Sequence, residues 1–175
     1  MKGEERYVLV LGEKPSVARA LAEVLGAKKR EDGYMEGEGC VVSWCLGHLA
    51  EYAAPEVYDE RYKKWEFTDL PILPKTWELR IAKDKKEQFD VLKELLNRKD
   101  FEYVVNACDA GREGELIFKR VYDLSKSSLP VKRLWISLWK NRQFVMAFSN
   151  LKDGKAYERT VRSCCLQGEV AIIKL

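Results

Sequence analysis

Apolar positions along this chain follow two rhythms. Tyr7-Val8-Leu9-Val10-Leu11 is a short apolar run closed by Gly12, and its length and branched residues predict a buried strand. Pro15-Ser16 opens a stretch in which Val17, Ala18, Leu21, Ala22, Val24 and Leu25 recur at helical spacing until Gly26. Proline at the start and glycine just past the end mark a helix. Residues 33–47 read as a hairpin turning at Gly37-Glu38-Gly39, with Cys40 to Leu46 as its second strand. Residues 50–75 show no period, and Pro71 and Pro74 mark extended chain. Thr76 to Ala82 alternates as a strand does. Lys83 to Arg98 carries Phe89, Leu92, Leu95 and Leu96 on one stripe, the signature of an amphipathic helix.

A third apolar run, Tyr103 to Cys108, leads into Asp109-Ala110-Gly111-Arg112-Glu113-Gly114-Glu115, and a helix is expected from about Arg112 to Leu124. Val131 to Ile136 reads as a further strand and Asn141 to Leu151 as a helix, while Cys164 to Leu175 carries no clear pattern. Strands alternating with helices predict an α/β fold with a central, mostly parallel sheet and right-handed crossovers.

Composition narrows the class. The chain has 175 residues, 46% apolar and 34% charged, with 11 Gly and 5 Pro. That suits one globular domain, or one domain and part of a second, and excludes a disordered or collagen-like chain. No apolar run is long enough to span a bilayer, and MKGEERYVLV lacks the pattern of a signal peptide, so the cytoplasm is the expected location. Cys40, Cys45, Cys108, Cys164 and Cys165 form no Cys-x-x-Cys pair; reduced thiols acting as small apolar residues are the expectation, not a disulfide framework or a zinc ribbon. The net charge of +3 is uneven: residues 119–162 hold 11 Lys/Arg against 3 Asp/Glu. A basic segment suits a phosphate-rich partner and equally suits a solvated face.

In open parallel sheets, ligands gather beyond the carboxyl ends of the strands. Two apolar runs end in acid-bearing turns, Gly12-Glu13-Lys14-Pro15-Ser16 and Asp109-Ala110-Gly111-Arg112-Glu113. If those strands are neighbours, Glu13, Asp109 and Glu113 meet on one rim. Crowded carboxylates gain proton affinity or recruit a cation, and hard oxygen donors suit Mg²⁺. The plainer alternative is that acids early in a helix offset its dipole and cap free N–H groups. His48, the one histidine, stays open between a structural hydrogen-bond partner and a site residue.

Three motifs carry a resemblance. Glu13-Lys14-Pro15-Ser16-Val17-Ala18, Gly47-His48-Leu49 and Asp109-Ala110-Gly111-Arg112-Glu113-Gly114-Glu115-Leu116-Ile117 resemble the type IA DNA topoisomerases, topoisomerase III branch, in order and approximate spacing. Leu134-Trp135-Ile136-Ser137 and Asn150 to Gly154 are similar as well, so the likeness covers roughly residues 5–160. It implies a Toprim domain over residues 5–137 and the start of a following helical domain over 138–175. It also implies Mg²⁺ as the cofactor, DNA, single-stranded, as the partner, and no nucleotide cofactor; it leaves the oligomeric state open. In that family a tyrosine attacks a phosphodiester, stays linked to the 5′-phosphate and frees a 3′-OH. The resemblance makes Glu13 the acid/base at the 3′-oxygen and Lys14 the cation beside the phosphate. Glu13, Asp109 and Glu113 become metal ligands, direct or through water. Lys14, Ser16, His48 and Arg112 become DNA contacts.

Two departures stand out. The family pattern reads Asp-x-Asp-x-Glu, and Gly111 occupies the second Asp position. None of the 8 tyrosines sits in the context of the family's nucleophile. The expectation is therefore an excised or truncated part of such an enzyme that does not relax DNA alone. A stand-alone Toprim nuclease or primase-like metal enzyme, and a non-catalytic DNA-binding module, are the alternatives.

Overall fold

A computed structural model describes residues 7–64, 66–135, 148 and 150–157. The first apolar run is β1 (Tyr7–Gly12), followed by α1 (Pro15–Leu25). Gly26 ends that helix with φ +74°, a left-handed position that glycine takes without penalty. Strands β2 (Lys29–Glu31), β3 (Tyr34–Gly37) and β4 (Cys40–Trp44) form an antiparallel meander, after which β5 (Ala50–Tyr52) leads into three short 3₁₀ turns. Then come β6 (Leu79–Ile81), α2 (Lys86–Asn97), β7 (Phe101–Ala107), α3 (Arg112–Ser125), β8 (Val131–Arg133) and β9 (Lys152–Asp153).

The main sheet runs β2-β3-β4-β1-β7-β8-β9, and β5 pairs with β6 in a separate ribbon. At the centre, β1 lies parallel to both β4 and β7, and β7 parallel to β8. The pairings at both edges are antiparallel. Strand alternation divides the core into two layers. Leu9, Leu11, Val41 and Val104 face Leu92 and Leu96 of α2 and Ile117 and Val121 of α3. Val10, Val42 and Val105 face Ala18, Leu21 and Ala22 of α1. The central strands are thus covered on both faces, which is why they read as continuous apolar runs.

The α/β class and every long element match the sequence expectation. The differences fall on short, polar pieces. β2 and β5 contain three residues each and carry Lys-Arg-Glu and Ala-Glu-Tyr, too little for a periodic signal. β8 ends at Arg133, and the expected end at Ile136 lies outside the described residues. Most of the helix expected over 141–151, and the segment 164–175, lie outside the described residues. So does the start of the second domain expected at 138. Residues 152–153 pair with β8 in the main sheet.

Leu92 is fully buried and Leu73 is 65% exposed. Leu92→Ala is expected to lower unfolding free energy by about 2–5 kcal/mol, and Leu73→Ala to change it by less than about 0.5 kcal/mol, as read by urea denaturation.

Candidate active site

The parallel pairing of β1 and β7 aligns Gly12 with Ala107. The residues that follow, Glu13 on one side and Cys108-Asp109 on the other, therefore leave the sheet at the same carboxyl-end rim. Glu13 is only 8% exposed. Its carboxylate lies 3.2 Å from Nζ of Lys14, whose own side chain points largely into solvent. Asp109 stands close enough to feel Glu13, and its carboxyl is pushed above the usual range, first by desolvation and then by the Glu13 charge. The Lys14 ammonium is raised in turn by its hydrogen bond to Glu13 and by the fields of Glu13 and Asp109.

A second pair stands beside the first. Leu46 and Gly47 take φ +50° and +67°, turning the chain sharply after β4. A non-glycine residue in this region carries local strain. The Gly47 N–H donates to the Glu13 carbonyl at 2.9 Å, which ties this turn to the end of β1. His48 Nε2 then lies 3.1 Å from Oε2 of Glu113 in the first turn of α3. Arg112 and Ser16 sit exposed in the first turns of α3 and α1.

The expected residues thus gather as Glu13, Lys14 and Asp109, with His48 and Glu113 alongside. A closed cage of three acids is not formed. Among the described residues, no group of three or more His, Cys, Asp or Glu side chains stands close enough to hold a metal. Glu113 instead faces His48 and adds no third carboxylate to the crowded pair. Two neighbouring carboxylates, one of them nearly dry, are an all-oxygen donor set. They fit Mg²⁺, which keeps several waters and takes one or two carboxylates from a protein.

A buried network that the sequence does not announce holds the Asp109 turn. Arg133 is 1% exposed and Glu115 4%, and they form an ion pair beneath the site. The guanidinium also donates to the carbonyls of Asn106 (2.9 Å), Cys108 (2.8 Å), Leu134 (2.8 Å) and Asp109 (2.8 Å). Asn106 completes the set, donating to Glu115 at 3.3 Å and accepting from the Cys108 N–H at 3.1 Å. The one sequence signal is an arginine within an expected strand. Gly114 adds a steric condition, since a Cβ there would stand 2.2 Å from the Asp109 carbonyl oxygen. At Gly111 the backbone is extended and a Cβ would meet nothing within 4 Å, so an aspartate is accommodated there.

An acid pair and a lysine lie beyond the carboxyl ends of neighbouring parallel strands, the rim where open α/β sheets place their ligand sites. The sequence profile of the Toprim domain family matches residues 8–139, and the chain belongs to that family. It is 46% identical over 160 residues to DNA topoisomerase 3 of Shouchella clausii and 45% identical over 161 residues to DNA topoisomerase 3 of Bacillus anthracis. These alignments cover 91% and 92% of this chain, and the chain spans 22% of the length of each relative. Full-length topoisomerase I from Thermotoga maritima shares the fold, with a TM-score of 0.58 at 20% identity over 88% of this chain and 22% of that one.

Two outcomes are expected. Because Asp109 binds its proton more tightly when folded, its contribution to stability is present below the ordinary carboxylate range and fades as pH rises through its folded pKa. Asp109→Asn is therefore expected to raise the metal-free melting temperature at neutral pH relative to wild type, with the gain vanishing in acid. Arg133→Met, which strands Glu115 as an unpaired buried charge, is expected to lose about 3–5 kcal/mol in denaturant titrations.

Proposed function

We propose that this chain is the Mg²⁺-binding Toprim portion of a type IA DNA topoisomerase of the topoisomerase III kind, which breaks, passes and rejoins single DNA strands. The observation that carries the reading is the buried Glu13 carboxylate beside both Lys14 and Asp109 at one strand-end rim. The 45–46% identity to relatives named DNA topoisomerase 3 supports it.

In this reading a tyrosine from the remainder of the enzyme attacks the phosphorus, and the bond from phosphorus to the 3′-oxygen breaks. Glu13 delivers a proton to the departing oxygen and takes it back for resealing, a role suited to a carboxyl in a largely dry position. The Lys14 ammonium faces the phosphate and offsets the charge that develops on it. Glu13, Asp109 and Glu113 would hold Mg²⁺, directly or through water. When bound, the ion neutralises phosphate charge and relieves the repulsion between Glu13 and Asp109. Arg112, Ser16 and His48 contact the strand. We also assign the protein to the cytoplasm; the buried free thiols of Cys40, Cys45 and Cys108 suit a reducing compartment.

Millimolar Mg²⁺ is expected to raise the melting temperature of the 175-residue chain, and Glu13→Gln or Asp109→Asn to abolish the rise. Wild-type melting curves that ignore Mg²⁺ would count against the reading. Gly111→Asp, which restores the second aspartate, is expected to tighten Mg²⁺ binding in calorimetric titrations. The 175 residues alone are expected to leave supercoiled plasmid unrelaxed.

A further inference from the structure

We propose that the groove between α1, β2 and the end of β4 is a nucleotide subsite for a single nucleic-acid strand, in which Arg19 and Arg30 hold phosphate and the Trp44 ring stacks a base. The inference rests on the reading above and extends it to residues outside the acid pair.

The groove measures about 320 Å³ and begins at Pro15, one residue beyond Lys14. A strand whose phosphate lies against Lys14 therefore has a path directly into it. Arg19 lies one helical turn beyond Pro15 on the exposed face of α1, and Arg30 stands exposed on the edge strand β2. Among the described residues, neither guanidinium has an ion-pair or hydrogen-bond partner. Two acids also line the groove. Glu31 is offset by Lys29 at 2.8 Å, which leaves Asp32 as the single uncompensated carboxylate against two arginines. The balance favours an anion, and a planar guanidinium fork suits phosphate oxygens.

The groove is also held in shape. Gln88, itself 8% exposed, reaches from α2 to the Gly33 carbonyl (3.1 Å), the Ser43 hydroxyl (3.2 Å) and the Trp44 carbonyl (3.0 Å). The Ser43 hydroxyl donates to the same Gly33 carbonyl at 2.8 Å. Gly33 takes φ +80° and closes the turn between β2 and β3. These buried bonds fix the Asp32-Gly33 turn and the backbone of Trp44 before any ligand arrives. Trp44 is half-buried, with its ring packed at the rim of the α1-side core. Aromatic rings beside a cationic groove are how sequence-tolerant single-strand sites are built, because every base has a stacking face.

The test is fluorescence anisotropy of a labelled oligothymidylate titrated with the 175-residue chain across a salt series, with Mg²⁺ present. Wild type is expected to bind. Replacing both arginines (Arg19→Ala with Arg30→Ala) is expected to weaken binding and to flatten the log–log salt dependence by about 0.7 for each phosphate that is no longer neutralised. Trp44→Leu is expected to weaken binding roughly 5- to 150-fold, and Trp44→Phe to restore most of it. Both arginines are exposed and unpaired among the described residues, so their removal leaves the melting temperature unchanged and carries the test even where Trp44→Leu impairs folding. Variants that bind as wild type does, with the same salt slope, overturn the subsite and leave the proposed function standing. A wild-type chain that binds no strand overturns both.

Discussion

The register between β1 and β7 is the constraint on which the site depends. Aligning Gly12 with Ala107 brings Glu13 and Asp109 out at one rim, although 96 positions separate them in the chain. A shift of one residue would turn Leu9 and Leu11 away from α2 and α3 and Val10 away from α1, so burial on both faces locks the register. The hydrophobic core thus fixes the distance between two charged groups that contribute nothing favourable to it. Desolvation of Asp109, and after it the Glu13 charge, leave an elevated proton affinity there, the condition under which a cation is welcome.

The Asp109 turn needs separate support, because loops leaving a sheet are its most mobile parts. Arg133 gives that support from below. One guanidinium binds four backbone carbonyls and a carboxylate, joining the ends of β7 and β8 to the first turns of α3. Burying such a pair is weakly stabilising at best, while the geometry it imposes is exacting. Gly114 completes the fit by letting α3 approach the Asp109 backbone more closely than any side chain permits. A run of small and acidic residues, open to a reading as helix-start decoration, turns out to be a close-packed joint.

Legibility in the sequence follows the length and apolarity of each element. β1, α1, α2, β7 and α3 are plain from periodicity because each buries a full stripe or face. The three-residue strands β2 and β5 escape it, since backbone pairing holds them and their side chains are largely polar. At the site, Glu13, Lys14, Asp109 and Glu113 stand out by motif. Arg133, Asn106 and Gln88 do not, because a polar residue inside an element reveals nothing of its partners until the chain has folded.

The sequence by itself determined the α/β class, the order of the long elements and the acid-bearing turns, because burial periodicity and turn chemistry are local properties of the chain. Tertiary structure alone decided which acids meet. It joined Glu13 to Asp109, sent Glu113 to His48, and set Arg133 beneath them. Such pairings depend on strand order and register, long-range quantities that no local pattern encodes.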